Sequence, residues 1–222
     1  MKVLITAGGS EEPIDGVRRL TNLSTGATGA ALARHFAARG ADVLLLHAER
    51  AAVGAMPCPC ETFVTVADLE AVLRRLLARS RWDAVLHLAA VSDYAVDAVE
   101  VDGVALAPGA RGKIDSGHEV VLRLRPNPKL IDGFRSWSAN PTVRVVGFKL
   151  TDELDQAKRE AQVQTLLARG VADLVVHNDL SEIVDGRHRA SIYDRTGLLQ
   201  TVETKETLAR ALYEWVGKGV RA

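Results

Sequence analysis

An excess of charge of either sign is missing from this chain: lysine and arginine number 28, and aspartate and glutamate also number 28. That balance argues against a surface dedicated to nucleic acid. Long apolar runs are missing too; none reaches the ~20 residues needed to span a bilayer. The amino terminus, Met1-Lys2-Val3-Leu4-Ile5, enters a strand-like run directly, with no charged leader, apolar stretch or cleavage site. A soluble, cytoplasmic protein with no membrane partner is the expectation. Cysteine is scarce, and Cys58 and Cys60 are the only two. The single proline between them makes a bridge awkward. No second Cys/His cluster supplies the roughly four ligands of a zinc site, so they read as ordinary reduced thiols.

Several signatures of familiar chemistry are absent as well. The first turn, Ala7-Gly8-Gly9-Ser10-Glu11-Glu12, lacks the G-x-G-x-x-G of a dinucleotide-binding fold. A short-chain dehydrogenase needs a tyrosine four residues before a lysine. Here Tyr94, Tyr193 and Tyr213 are followed at that distance by Ala98, Gly197 and Gly217. There is no P-loop, and no G-x-S-x-G elbow for a serine hydrolase.

What is present is a core and a rhythm. Hydrophobic residues make up 47% of the 222, enough for a substantial interior. Short apolar runs at residues 2–6, 42–47, 62–66 and 83–88 read as buried parallel strands. Helical patterns separate them. One starts near Gly26 and stops at Gly40; another covers 67–79, with Thr65 as its cap. Further on, strands are predicted at 119–124, 143–148 and 172–176. Helices are predicted at 127–137, with Pro128 in the first turn, and at 153–169. The tail reads as a hairpin, 190–194 and 198–202 around Arg195-Thr196-Gly197, then a final helix. This βαβ alternation predicts an α/β, three-layer, Rossmann-like parallel sheet with helices on both faces, plus a C-terminal β-hairpin and helix. No linker divides the chain, so residues 1–222 read as one domain.

Such sheets bind ligands beyond the carboxyl ends of their strands. The segment Arg18-Arg19-Leu20-Thr21-Asn22-Leu23-Ser24-Thr25-Gly26-Ala27-Thr28-Gly29 lies there, after the Gly8-Gly9 turn, and reads as the mouth of the first helix. Unpaired helix-start N–H groups, the Asn22 amide and the arginine charge suit a phosphorylated or carboxylate substrate. Ala89-Ala90-Val91-Ser92-Asp93-Tyr94 follows the fourth strand, where small residues admit a ligand and Asp93 can accept a hydrogen bond. Residues 99–118 lack periodicity and read as a flexible flap carrying Arg111 and Lys113. Phe148 ends a strand and could wall a base pocket, and His177-Asn178-Asp179 end another.

Taken together, these residues resemble the phosphopantothenate–cysteine ligase family. The resemblance is carried by Ile5-Thr6-Ala7-Gly8-Gly9-Ser10-Glu11-Glu12-Pro13-Ile14-Asp15 and by Val17-Arg18 through Asn22-Leu23-Ser24-Thr25-Gly26. It continues through Ala89 to Tyr94, Lys113-Ile114-Asp115-Ser116, Gly147-Phe148-Lys149-Leu150 and Asp173 to Ser181. It ends at Leu199-Gln200-Thr201-Val202-Glu203-Thr204-Lys205-Glu206. With no flavin-dependent decarboxylase segment upstream, the chain looks like the stand-alone type.

The resemblance implies that the carboxylate of phosphopantothenate attacks the α-phosphate of CTP, or of ATP. Pyrophosphate leaves, and the amine of cysteine attacks the resulting acyl-nucleotidylate. Mg²⁺ would accompany the triphosphate, with unassigned ligands. It also implies a homodimer whose sites are completed across the interface. Asn22 and Lys113 would be catalytic, Lys113 from a closing flap. Arg18, Asn22, Ser24 and Gly26 would hold the acid. The nucleotide would be held by Gly8, Gly9, Ser10, Ala89, Ala90, Asp93, Asn127, Pro128, Lys129, Leu130, Phe148 and Lys205. Relatives carry two lysines late in the helix where this chain has Gln162, Gln164, Thr165 and Arg169. Phosphate neutralisation then falls to Arg169, Lys149 or Lys205. The other classes to weigh are a non-catalytic nucleotide-binding regulatory module and a nicotinamide- or flavin-linked reductase. The missing motifs disfavour the reductase.

Overall fold

The apolar runs become strands buried on both faces, and that double burial sets the layers. A computed structural model describes residues 1–153, 155–182 and 188–220. The central strands are β1 (Lys2–Ala7), β4 (Asp42–Ala48), β5 (Cys60–Phe63), β6 (Ala84–His87), β10 (Arg144–Thr151), β11 (Leu174–Asp179), β12 (Ala190–Asp194) and β13 (Gly197–Val202). They form one eight-stranded sheet in the order β13-β12-β11-β10-β6-β1-β4-β5. The strands from β11 to β5 pair in parallel; β12 and β13 join antiparallel. The expected parallel sheet is therefore a mixed one, because the tail hairpin pairs along its edge.

Alternate side chains point to opposite faces. Val3 and Ile5 of β1 pack with α1 (Ala27–Ala38) and α5 (Lys205–Val220) through Leu32, Phe36, Leu208, Leu212 and Val216. Leu4 packs on the other face with α2 (Val66–Arg79), α3 (Phe134–Trp137) and α4 (Gln156–Ala168). Each fully buried Leu or Phe contributes about 1.5–3 kcal/mol relative to exposure. The three layers are those the alternation predicted. Thr65 caps α2 as expected, accepting from the Asp68 N–H while the Asp68 side chain accepts from the Thr65 N–H. Asp155 caps α4 through the N–H groups of Ala157 and Lys158. Among the described residues no helix is long and apolar enough to cross a membrane.

Three segments differ from the sequence reading. The stretch read as opening the first helix instead begins as β3 (Arg19–Thr21), paired antiparallel with β2 (Glu11–Pro13); α1 starts only at Ala27. Residues 99–118 are not a featureless flap. They include the end of β7 (Tyr94–Val101) and all of β8 (Val104–Leu106). These strands pair with β9 (Val120–Pro126) in a separate three-stranded antiparallel sheet. Residues 127–137 are not one helix. Asn127, Pro128 and Lys129 are extended or irregular, a 3₁₀ turn covers Leu130–Gly133, and only Phe134–Trp137 is α-helical. Asn127 is held by the preceding loop, its N–H donating to the Asp93 carbonyl at 2.8 Å, and the proline after it disfavours helical backbone there.

Candidate functional site

The carboxyl ends of β1 and β6 converge, and their loops are tied backbone to backbone. Gly9 and Ala90 bridge in parallel beyond the last ladder pair. The Ala90 N–H donates to the Gly8 carbonyl at 2.8 Å, and the Ser10 N–H donates to the Ala90 carbonyl at 3.1 Å. Ser10, fully buried, accepts the Ser92 N–H on its hydroxyl at 2.9 Å. Small residues are required here by the protein itself. A Cβ on Gly9 would lie 2.3 Å from the Asn22 carbonyl oxygen, and Gly8 has φ +85° with Ala48 packed against it.

Asn22 lies on the loop between β3 and α1. Its side-chain amide donates to the Val91 carbonyl at 3.3 Å, which places it beside the loop that carries Asp93. Asn22 is exposed, and among the described residues its side-chain oxygen accepts no hydrogen bond. Asn127 closes the other side, its amide donating to the Ser92 carbonyl at 3.1 Å. Asp93 is paired with Lys129, so two of the expected nucleotide contacts hold each other. Pro128 is exposed beside them. Leu130 turns inward and is 3% exposed, a core residue against α2 and α4 rather than a pocket wall. Phe148 is half-buried against the α1/α5 face. Ser24 is exposed; Gly26 has φ +75° and precedes α1, which has no side-chain cap and no acidic residue in its first turn. Lys205, half-buried at the start of α5, lies near enough to His188 that its charge, after burial, lowers the imidazole's pKa. The same His188 reaches the Thr28 hydroxyl at 3.4 Å, so Lys205 stands toward the start of α1.

Lys113 is exposed, but its neighbours are fastened. The Gly112 carbonyl accepts from the Gly16 N–H at 2.9 Å. The Ile114 N–H donates to Asp15 Oδ2 at 3.1 Å, and the Ile114 carbonyl accepts from Arg18 Nη2 at 3.1 Å. Asp15, 3% exposed, is the hub. It also takes the N–H groups of Val17 at 2.9 Å and Arg18 at 2.7 Å, and Arg18 Nη1 at 2.6 Å. The Val17 N–H, then those of Arg18 and Ile114 and the Arg18 charge, hold its carboxyl well below the usual carboxylate range despite burial. Lys113 is thus set at the tip of the β2–β3 hairpin, and Asn22 at its base. The strand between Arg18 and Asn22 spans about 13 Å. The sequence reading missed this hub. Its only signal was an Asp followed by Gly16, an Asx-turn pattern.

His177, Asn178 and Asp179 end β11, and all three are buried. Burial pushes the Asp179 carboxyl up, but bonds from Ser181, Thr151 and Glu153 outweigh it and hold the group below the usual range. Arg159 Nε lies 3.2 Å from the same carboxylate. Arg169, offered for phosphate, ends α4 near the strands' amino ends and is paired with Asp132. A cavity of about 500 Å³ lined by Arg135, Gly170, Asp173, Asp194 and Arg195 also opens at that far end.

Residues 1–219 match the family model described as the DNA/pantothenate metabolism flavoprotein C-terminal domain. A coenzyme A biosynthesis bifunctional protein CoaBC of Thermococcus kodakarensis is 32% identical over 221 residues, 98% of this chain and 51% of that protein. The protein of the same description from Mycobacterium tuberculosis is 34% identical over 189 residues, 82% of this chain and 42% of the relative. The chain therefore spans about half the length of the curated relatives it matches. The crystal structure of the DNA/pantothenate metabolism flavoprotein from Streptococcus pneumoniae superposes with a TM-score of 0.86 at 30% identity, covering 98% of this chain and 99% of that one. A Cab2 mutant H337A in complex with phosphopantothenate-cysteine, 20% identical with a TM-score of 0.70, shares the fold over the whole of this chain and 89% of that one.

Proposed function

This chain belongs to the DNA/pantothenate metabolism flavoprotein C-terminal domain family, and on that footing we propose that it is a ligase of coenzyme A biosynthesis, joining phosphopantothenate to cysteine. The observation that carries the reading is the bond from the Asn22 amide to the Val91 carbonyl, two residues before Asp93. An acid held by Asn22 then lies against the loop that would receive a nucleotide. A carboxylate is a poor electrophile, so it must first attack the α-phosphate of CTP or ATP and release pyrophosphate. The amine of cysteine then attacks the acyl carbon and expels the nucleoside monophosphate.

The protein's part is orientation and charge neutralisation. The Asn22 amide orients the acyl group, and the backbone around Gly8, Gly9, Ser10, Ala89 and Ala90 shapes the nucleotide seat. Asp93 exchanges its Lys129 partner for a nucleotide donor. Lys149 and Lys205 offset phosphate charge; Arg169, committed to Asp132 at the far end, does not. Magnesium enters with the triphosphate as part of the substrate. Among the described residues no three His, Cys, Asp or Glu side chains converge on a metal. That fits an ion that keeps its waters and phosphate ligands.

Lys113 and Arg18, at the hairpin tip, are better placed to serve a neighbouring subunit's site than the Asn22 of their own chain. The homodimer this needs is supported by apolar side chains left exposed on the antiparallel sheet, Val104, Leu106, Val120, Val121 and Leu124. A cytoplasmic location accords with this pathway.

The test supplies phosphopantothenate, cysteine, Mg²⁺ and either CTP or ATP in parallel. Pyrophosphate that appears only with the acid present is the expected result. Nucleotide binding with no acid-dependent pyrophosphate would overturn the ligase reading in favour of a non-catalytic nucleotide-binding module.

A further inference from the structure

Thr6 is a polar side chain at an apolar place. It points to the same face as Leu4, is fully buried, and sits in register with His87 at the last ladder pair of β1 and β6. A buried hydroxyl is costly unless bonded. The Thr6 oxygen accepts the Ala89 N–H at 3.0 Å and lies 2.9 Å from His87 Nδ1. The hydroxyl takes the Ala89 N–H on one lone pair and keeps its own proton, which Nδ1 of a neutral imidazole can accept. Packing around the ring depresses the His87 pKa to about 4, although part of the residue's surface reaches solvent. The imidazole is neutral near pH 7. The Thr6 carbonyl also accepts the Leu88 N–H at 3.2 Å.

We propose that Thr6 and His87 are positioning residues for the reacting groups: the directed relay Ala89 N–H to Thr6 hydroxyl to His87 Nδ1 fixes where β6 leaves the sheet. The next residues then follow in step. Ala90 reaches Gly8 and Ser10, and the Val91 carbonyl arrives where the Asn22 amide grips it. One side-chain hydroxyl thus sets both the nucleotide loop and the amide that holds the acid. Its consequence for catalysis rests on the ligase reading; the relay itself does not.

The experiment compares Thr6→Val, which keeps the β-branched shape, with Thr6→Ser, which keeps the hydroxyl. In Thr6→Val the Ala89 amide should exchange with solvent about fivefold faster, the size of one net hydrogen bond. The nucleotide KM should rise by about the same factor with kcat less affected. Thr6→Ser should restore both. Nitrogen-15 spectra of the wild-type imidazole should show Nδ1 unprotonated and Nε2 protonated. Unchanged Ala89 exchange in Thr6→Val, or an Nδ1-protonated tautomer, would overturn the proposal. Both readouts need no substrate, so they decide the relay whether or not the ligase reading survives. A Thr6→Val enzyme with exchange raised but KM unmoved would overturn the positioning role.

Discussion

The loops at the carboxyl ends of β1 and β6 and the arm formed by the β2–β3 hairpin with residues 107–119 are held in opposite ways. The loops are knitted by several short bonds, backbone to backbone between Gly8 and Ala90 and between Ser10 and Ala90, and from the Ser92 N–H to the Ser10 hydroxyl, and there is no spare volume at Gly9. The arm leans most on one buried carboxylate, Asp15, which gathers Val17, Arg18 and Ile114, beside single backbone bonds from Gly16 to Gly112 and from Gly109 to Ile14. Distributed bonding makes a rigid seat whose failure is steric. Bonding centred on one group makes a part that a single deletion loosens.

The sharpest way to break this contrast is Gly9→Ala. Its Cβ must displace the Asn22 carbonyl 2.3 Å away, so the Gly8–Ser10 turn and the loop carrying Asn22 shift together. Overpacking should cost about 1–3 kcal/mol of stability, and acid-dependent pyrophosphate release should fall on the order of 10³-fold. A fully active Gly9→Ala enzyme would show that the seat is looser than its geometry. Next in size, Asn22→Asp leaves the fold intact and places a charge against the substrate carboxylate. A loss of about 10²–10³ in kcat/KM is expected, with the melting temperature lowered only by the one exposed bond to Val91. Wild-type turnover would remove Asn22 from the reaction.

For the arm, Asp15→Asn should lower kcat/KM about 10- to 100-fold by freeing Lys113 from its setting. Direct seating of nucleotide should change little. The pH dependence follows from the sign of the shift. A carboxyl depressed in the folded state stabilises fully above its unfolded pKa, about 4, and loses that contribution as pH falls through the lower folded value. Between pH 5 and 8 wild type and Asp15→Asn should therefore keep a constant difference in melting temperature, narrowing only in strong acid. A difference that changes across neutral pH would assign the hub to another group. The smallest effect belongs to Thr65→Ala, away from both regions. Loss of the α2 cap should cost about 1 kcal/mol and leave turnover alone. Activity that tracks this stability loss would erase the distinction between seat, arm and scaffold.

The layers were legible from the sequence because they depend on local pattern. Lys2–Ala7 and Asp42–Ala48 are apolar runs that suit burial on both faces, and Thr65 with Asp68 announces a helix start three residues apart. The Gly8-Gly9 turn and the Ala89–Tyr94 stretch were legible as loops at strand ends for the same reason, since strand ends are local events. The hairpin, the antiparallel sheet and the broken helix at 127–137 were not. Their strands are short or half-exposed, so periodicity is faint, as in Val104–Leu106, where all three residues are exposed.

What the sequence by itself determined is the three-layer core, the order of its central elements and the edge where the strand-end loops lie, because hydrophobic period and turn residues act over a few neighbours. What only the tertiary structure decided is which groups meet at that edge. Asp15 and Ile114 are 99 residues apart, and Thr6 and His87 are 81 apart. No local propensity relates such pairs; they meet because packing the sheet leaves a carboxylate and a hydroxyl that must find partners inside the protein.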